Sequence, residues 1–125
     1  MTTVKFDPTK GPLKVCFDFT GPFFADYTYK LREANSNALA DGPKPGDNKN
    51  TQDDCYLLPT PVEQNDGRKI VLSTDFVSPP AQKGMAYSIV ATVSQNGTSI
   101  GSDTDSGTLT GDFQDSLLVI FLQKI

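Results

Sequence analysis

Between Ala86 and Ile100 the sequence reads as a β-hairpin. Tyr87, Ile89, Ala91 and Val93 recur at every second position, and Asn96-Gly97 follows them. A period of two puts such a set on one face of a strand. Asn-Gly supplies the two positive-φ residues of a type I′ turn, whose twist matches that of the strands it joins. The register follows: Gln95 opposes Thr98 and Val93 opposes Ile100, so apolar meets apolar on the core face.

Other segments repeat the period. In Leu13–Thr20, Leu13, Val15, Phe17 and Phe19 alternate with Lys14, Cys16 and Asp18; Gly21-Pro22 then breaks the run. Asp26–Arg32 turns Tyr27, Tyr29 and Leu31 one way and Thr28, Lys30 and Arg32 the other. Lys69–Phe76, after the turn residues Asn65-Asp66-Gly67, reads as a further strand ended by Pro79-Pro80. Cys55–Leu58 is short and limited by Pro59 and Pro61, which suits a sheet edge. The return strand of the hairpin weakens at Gly101-Ser102-Asp103 and resumes at Thr108–Thr110. Met1–Lys10 is polar, and 33–54 loses the pattern in favour of Asn, Asp, Gly and Pro, which predicts a long loop, with a short helical turn around 31–39 as the one alternative. Ser116–Ile125 is apolar on both faces.

Seven to nine short strands and no long helical pattern predict an all-β fold. The expected form is an antiparallel β-sandwich with Greek-key connections, immunoglobulin-like or jelly-roll-like, over a single domain, 1–125. A small closed barrel is the alternative. Tyr87 suits a tyrosine corner, whereas the disulfide framework and Trp of antibody domains have no counterpart. With 125 residues, 37% of them apolar, the chain can hold a core.

Composition narrows the chemistry. The net charge is −4 and the 11 basic residues form no cluster, which argues against nucleic acid and anionic membranes as partners. There is no His, so the commonest general base and metal ligand are missing. Two Cys cannot complete a four-ligand zinc site or find an imidazole to activate them. No catalytic residue is assigned. No apolar run is long enough to span a bilayer, and the N-terminus is not a secretory signal. A cytoplasmic location is therefore expected, unless the chain is a processed or excised domain.

Four groups of residues remain as candidates. Cys16 and Cys55 form a disulfide if their strands are neighbours, and are otherwise free thiols, as the missing signal would favour. Phe23 and Phe24, in the loop after Gly21-Pro22, with Asp41 and Asp47 of the long polar stretch, are candidate ligand contacts. Asp103, Asp105, Asp112 and Asp115 could bind Ca²⁺ if their loops converge, although the spacing does not fit an EF-hand; otherwise they are turn formers. Apart from Ca²⁺, no cofactor is expected. Leu118, Ile120 and Leu122 mark the last strand as an oligomer strand, or as a central strand within one chain. Asn96-Gly97-Thr98 matches a glycosylation sequon, but the hairpin turn accounts for it.

Residues 111–120, Gly-Asp-Phe-Gln-Asp-Ser-Leu-Leu-Val-Ile, resemble the acidic loop and final apolar strand of calcium-dependent bacterial lectins, without their dense run of acidic ligands. The functional expectation is a non-catalytic binding or assembly module acting through loops and an outer sheet face, with a protein partner or a second copy of itself. A calcium-supported, carbohydrate-binding domain is the alternative, and a small carboxylate-dependent hydrolase the third reading.

Overall fold

The computed structural model describes residues 1–49 and 54–125. Nine strands are present among them: β1 (Thr2–Phe6), β2 (Leu13–Thr20), β3 (Phe24–Arg32), β4 (Leu39–Asp47), β5 (Asp54–Leu57), β6 (Lys69–Val77), β7 (Ala86–Gln95), β8 (Thr98–Thr108) and β9 (Gln114–Lys124). The only helical segments among the described residues are two single 3-10 turns, Val62–Asn65 and Pro80–Gln82. The strands form two sheets, β1-β9-β6-β3-β4 and β5-β2-β7-β8. This is the all-β sandwich that the alternating segments predict.

The chain makes two folded ribbons. In the first, the β3–β4 hairpin lies in the five-stranded sheet and its continuations β2 and β5 pair in the other sheet. In the second, the β7–β8 hairpin lies in the four-stranded sheet and its continuations β6 and β9 pair in the five-stranded one. Each ribbon returns its fourth strand beside its first, which is the Greek-key connection. The β2–β7 and β3–β6 ladders join the ribbons. β1 adds a parallel strand beside β9.

The alternating residues fill the space between the sheets. Leu13, Val15, Phe17, Ile89, Ala91 and Val93 face Tyr29, Leu31, Ile70, Leu72, Ile120 and Leu122 across it, and all are buried. Toward one end the core turns aromatic: Phe17 packs on Tyr27, Tyr29 and Tyr56, and Phe23 on Phe76 and Tyr87.

Several expectations are corrected. Residues 39–47 form β4, not a loop. Its Pro43 and Pro45 are tolerated because β4 is an edge strand, where a missing N–H donor costs no ladder bond. Glu33–Ala38 is a turn closed by the Glu33 N–H on the Ala38 carbonyl, in place of a helical turn. Positions 50–53 of the expected loop lie outside the described residues. The polar N-terminus holds β1, whose Val4 and Phe6 are buried. β8 runs unbroken to Thr108. Gln95 does oppose Thr98, but a register shift after Val93 makes Gly101 its partner instead of Ile100. The shift sets a residue with no side chain beneath β1, where a Cβ on Gly101 would sit 2.7 Å from the Val4 methyl.

The last strand is a second correction of substance. Leu118, Ile120 and Leu122 do not form an exposed oligomer surface. β9 lies between β1 and β6, and these three residues point into the core, at 4%, 0% and 1% exposure. The outward set of β9 is Leu117, Val119 and Phe121.

Candidate functional site

Cys16 and Cys55 are register partners on β2 and β5, and a disulfide joins them with 4.1 Å between the Cα atoms. β5 is a four-residue edge strand, and the bond fixes it to the sheet. No free thiol remains.

The four aspartates considered for Ca²⁺ are not brought together. Asp103 and Asp105 sit on the inward side of edge strand β8, opposite Ala91 and Ile89. Asp103 accepts a hydrogen bond from Thr2 Oγ1 at 3.0 Å and lies 3.7 Å from the N-terminal ammonium. Inward-pointing charge on an edge strand discourages further strands from pairing there. Asp112 is in the exposed turn before β9, and Asp115 is on the outer face of the other sheet. Among the described residues, no three or more His, Cys, Asp or Glu converge on a point that could hold a metal ion.

The candidate ligand contacts divide. Phe23 is a core residue, 5% exposed, because its ring fills the gap between Phe76 and Tyr87. Asp41 is half-buried at the core margin. It pairs with Lys44 at 3.2 Å and accepts the Gly42 N–H, so its carboxylate is used within β4. Phe24 and Asp47 do point outward from the five-stranded sheet, and they lead to the most distinctive surface of the molecule.

Register shows what that surface is. Asp115 of β9 opposes Asp75 of β6, Asp75 opposes Asp26 of β3, and Asp26 opposes Asp47 of β4. Four carboxylates therefore cross the outer face in one row. Neighbouring strands are about 4.8 Å apart, so the row is about 14 Å long. Side chains on one sheet face stand roughly parallel, which spreads these carboxylates along a line and not around an ion. Their proximity has a cost in charge. The Asp75 carboxyl is held above the usual aspartate value, first by a hydrogen bond shared with the Asp115 side chain, then by burial and by the charges of Asp115 and Asp26. Lys49, 4.0 Å from Asp26 and largely exposed, offers one weak counter-charge.

Two adjoining hollows share Asp26 and Asp75. One, of about 470 Å³, extends over Thr28, Ser73, Pro45 and Asp47. The other, of about 310 Å³, extends to Phe24, Val77, Lys49 and Phe113. Phe24 is 58% exposed and Phe113 86%, so both rings stand in solvent at the rim of the acidic row. Below the row lies an apolar strip, with Leu117 64% exposed and Val119 and Val71 paired across β9 and β6. Beyond the strip, Phe121, Lys69 and Arg32 form another cross-strand row. The face thus runs from aromatic and acidic, through aliphatic, to basic.

Sequence reasoning missed Asp26, Asp75 and Phe113. Each Asp was visible on the outward side of a strand, but only the pairing of four strands aligns them.

No family model and no curated protein matches the chain. Two solved structures are similar to it. One is a domain of unknown function, DUF4425, from Bacteroides vulgatus, at 9% identity and a TM-score of 0.46, covering 93% of this chain and 98% of that one. The other is a DUF4425 family protein from Bacteroides ovatus, at 12% identity and a TM-score of 0.45, covering 90% and 96%.

Proposed function

We propose that this chain is a non-catalytic binding module that works through the outer face of its five-stranded sheet. The supporting observation is the exposed face itself. It joins four aligned aspartates to the uncovered side chains of Phe24, Phe113 and Leu117, and no element among the described residues covers it. Exposed apolar groups beside organised charge mark interaction surfaces. The chemistry of the partner follows. It presents cationic groups to the acidic row and apolar side chains to the rings and to Leu117. A calcium-supported glycan site through Asp103, Asp105, Asp112 and Asp115 is not carried forward, since three separate surfaces hold those residues.

Selection from a displayed random-peptide library tests this reading. Wild-type protein is expected to enrich Lys- or Arg-containing sequences with aliphatic or aromatic neighbours. The Asp26→Asn/Asp75→Asn variant is expected to lose them. Peptides without such a bias, or retained equally by the variant, would overturn the proposal.

A further inference from the structure

Resting on that use of the outer face, we infer that its partner is a second copy of this chain, docked face to face across a two-fold axis. The two ends of the face are complementary in charge along the strands. Asp75 and Lys69 stand six residues apart on β6, both pointing outward, which is about 20 Å along the strand. Asp26 and Arg32 stand six apart in the opposite sense on the adjacent strand β3, so the two acids share one end of the face and the two bases the other. Lys30, also outward, stands one row in from the basic end, beside Val71.

At the basic end, Glu33, next to Arg32, is already engaged by Arg68 at 3.0 Å. Lys69 Nζ donates to the Ser36 carbonyl at 3.3 Å and Arg32 Nη1 to the Asn37 carbonyl, and neither makes an ion pair among the described residues. The acidic end, with Lys49 as its one weak counter-charge, and the basic end therefore keep net charge of opposite sign.

A two-fold axis lying in the plane of the face and crossing the strands exchanges those ends. It passes midway between the row of Leu117 and Ser73 and the row of Val119 and Val71. Leu117 of one copy then meets Val119 of the other, and Ser73 meets Val71. Asp75 meets Lys69, and Asp26 meets Arg32, each pair occurring twice. An isologous contact has this form, in which residue i meets j and j meets i. The apolar strip falls at the centre and the charges toward the rim, the usual anatomy of an interface. Four strands, β9, β6, β3 and β4, by four outward rows cover on the order of 500 Å², so the two copies together bury roughly 1,000 Å², the lower bound for a specific interface and in keeping with a contact that forms at millimolar concentration. An axis parallel to the strands would set aspartate against aspartate, so the charge pattern selects the first.

Sedimentation of the full chain at millimolar concentration and low salt tests the inference. A mass of twice 13.5 kDa is expected, and added salt should lower it. Asp26→Lys/Asp75→Lys replaces the two paired acids by bases, and Arg32→Asp/Lys69→Asp replaces the two paired bases by acids. Each variant alone should be monomeric, and a one-to-one mixture should form a heterodimer, which also shows that both variants fold. Leu117→Arg, at an exposed position, should give a monomer with unchanged thermal stability when dilute. A monomeric wild type overturns the inference, as does a dimer that survives both charge variants and Leu117→Arg, or folded charge variants that do not associate when mixed. The peptide selection separates this outcome from the broader reading: cationic peptides bound by a monomeric protein would leave the binding module and remove the dimer.

Discussion

At the scale of single residues, Asp75 carries the clearest consequence. Its carboxyl titrates above the ordinary aspartate value of 3.8 because it shares a hydrogen bond with Asp115 and sits among like charges. The folded protein therefore binds this proton more tightly than the unfolded chain does. Protonation favours the fold, and stability falls as pH rises from about the unfolded value through the higher folded one. Asp75→Asn removes the charge, so the dilute, monomeric variant should melt above wild type at pH 7. The gain should shrink as pH falls through the raised folded value and vanish below the unfolded one, since wild-type Asp75 then takes up its own proton; melting curves across that range check both ends. Asp7 acts in the opposite sense. Hydrogen bonds from the Thr9 hydroxyl and backbone N–H hold its carboxyl below 3.8, so its contribution is present above that value and is lost as pH falls through its own lowered one. A second residue prediction concerns Thr74. Its hydroxyl is buried between the sheets with no partner, opposite Ser116, whose hydroxyl is also unpartnered. Thr74→Val keeps the shape and removes a desolvated polar group, and should stabilise the protein by about 1 kcal/mol in denaturant titrations.

At the scale of elements, the disulfide and the β1–β8 approach make separate predictions. The Cys16–Cys55 bond closes a loop across a sequence separation of 39 residues. The chain-entropy relation assigns about 4 kcal/mol to a loop of this length, and urea unfolding with and without reductant should differ by up to that amount. Gly101 lies under Val4 because β1 approaches β8 closely. Gly101→Ala should cost about 1–3 kcal/mol, as insertions into tight packing do. In a double-mutant cycle with Val4→Ala, the pair should cost less than the sum of the singles, since the smaller residue at 4 makes room. The elements also show what sequence could convey. β2, β3, β6 and β7 were legible because each has one face in the core and alternates accordingly, and β9 because it is a run apolar on both faces. β4 was hidden because an edge strand tolerates Pro43, Pro45 and Gly46, whose composition reads as a loop. β1 was hidden because only Val4 and Phe6 carry its signal. At the site, Phe24 and Asp47 were legible as candidate contacts, though as loop residues, whereas the aspartate row was not. Alignment of four residues spread from position 26 to position 115 is a property of strand pairing, which no local pattern encodes.

At the scale of the whole molecule, the two folded ribbons explain why one sheet carries the charged surface. The outer face of the four-stranded sheet is dominated by Ser and Thr at β7 and β8, such as Ser88, Thr92, Ser102 and Thr104, small polar groups that water solvates without organised charge. The five-stranded face gathers Asp, Lys and Arg from β3 and β6, the strands at which the ribbons join. Among the described residues, no helix is long and apolar enough to cross a membrane. The parallel pairing of β1 with β9 has one more consequence. Thr2 lies beside Ile120 and Phe6 beside Lys124, so chain entering at Met1 and chain leaving at Ile125 depart from opposite ends of the same ladder. Tension applied through those two ends slides the strands past each other and loads the whole five-residue ladder at once, where a hairpin pulled from its open end would unzip one bond at a time. The fold is thereby suited to resist stretching along this axis, and a force probe gripping the two termini should meet β1–β9 shear as its first and highest barrier.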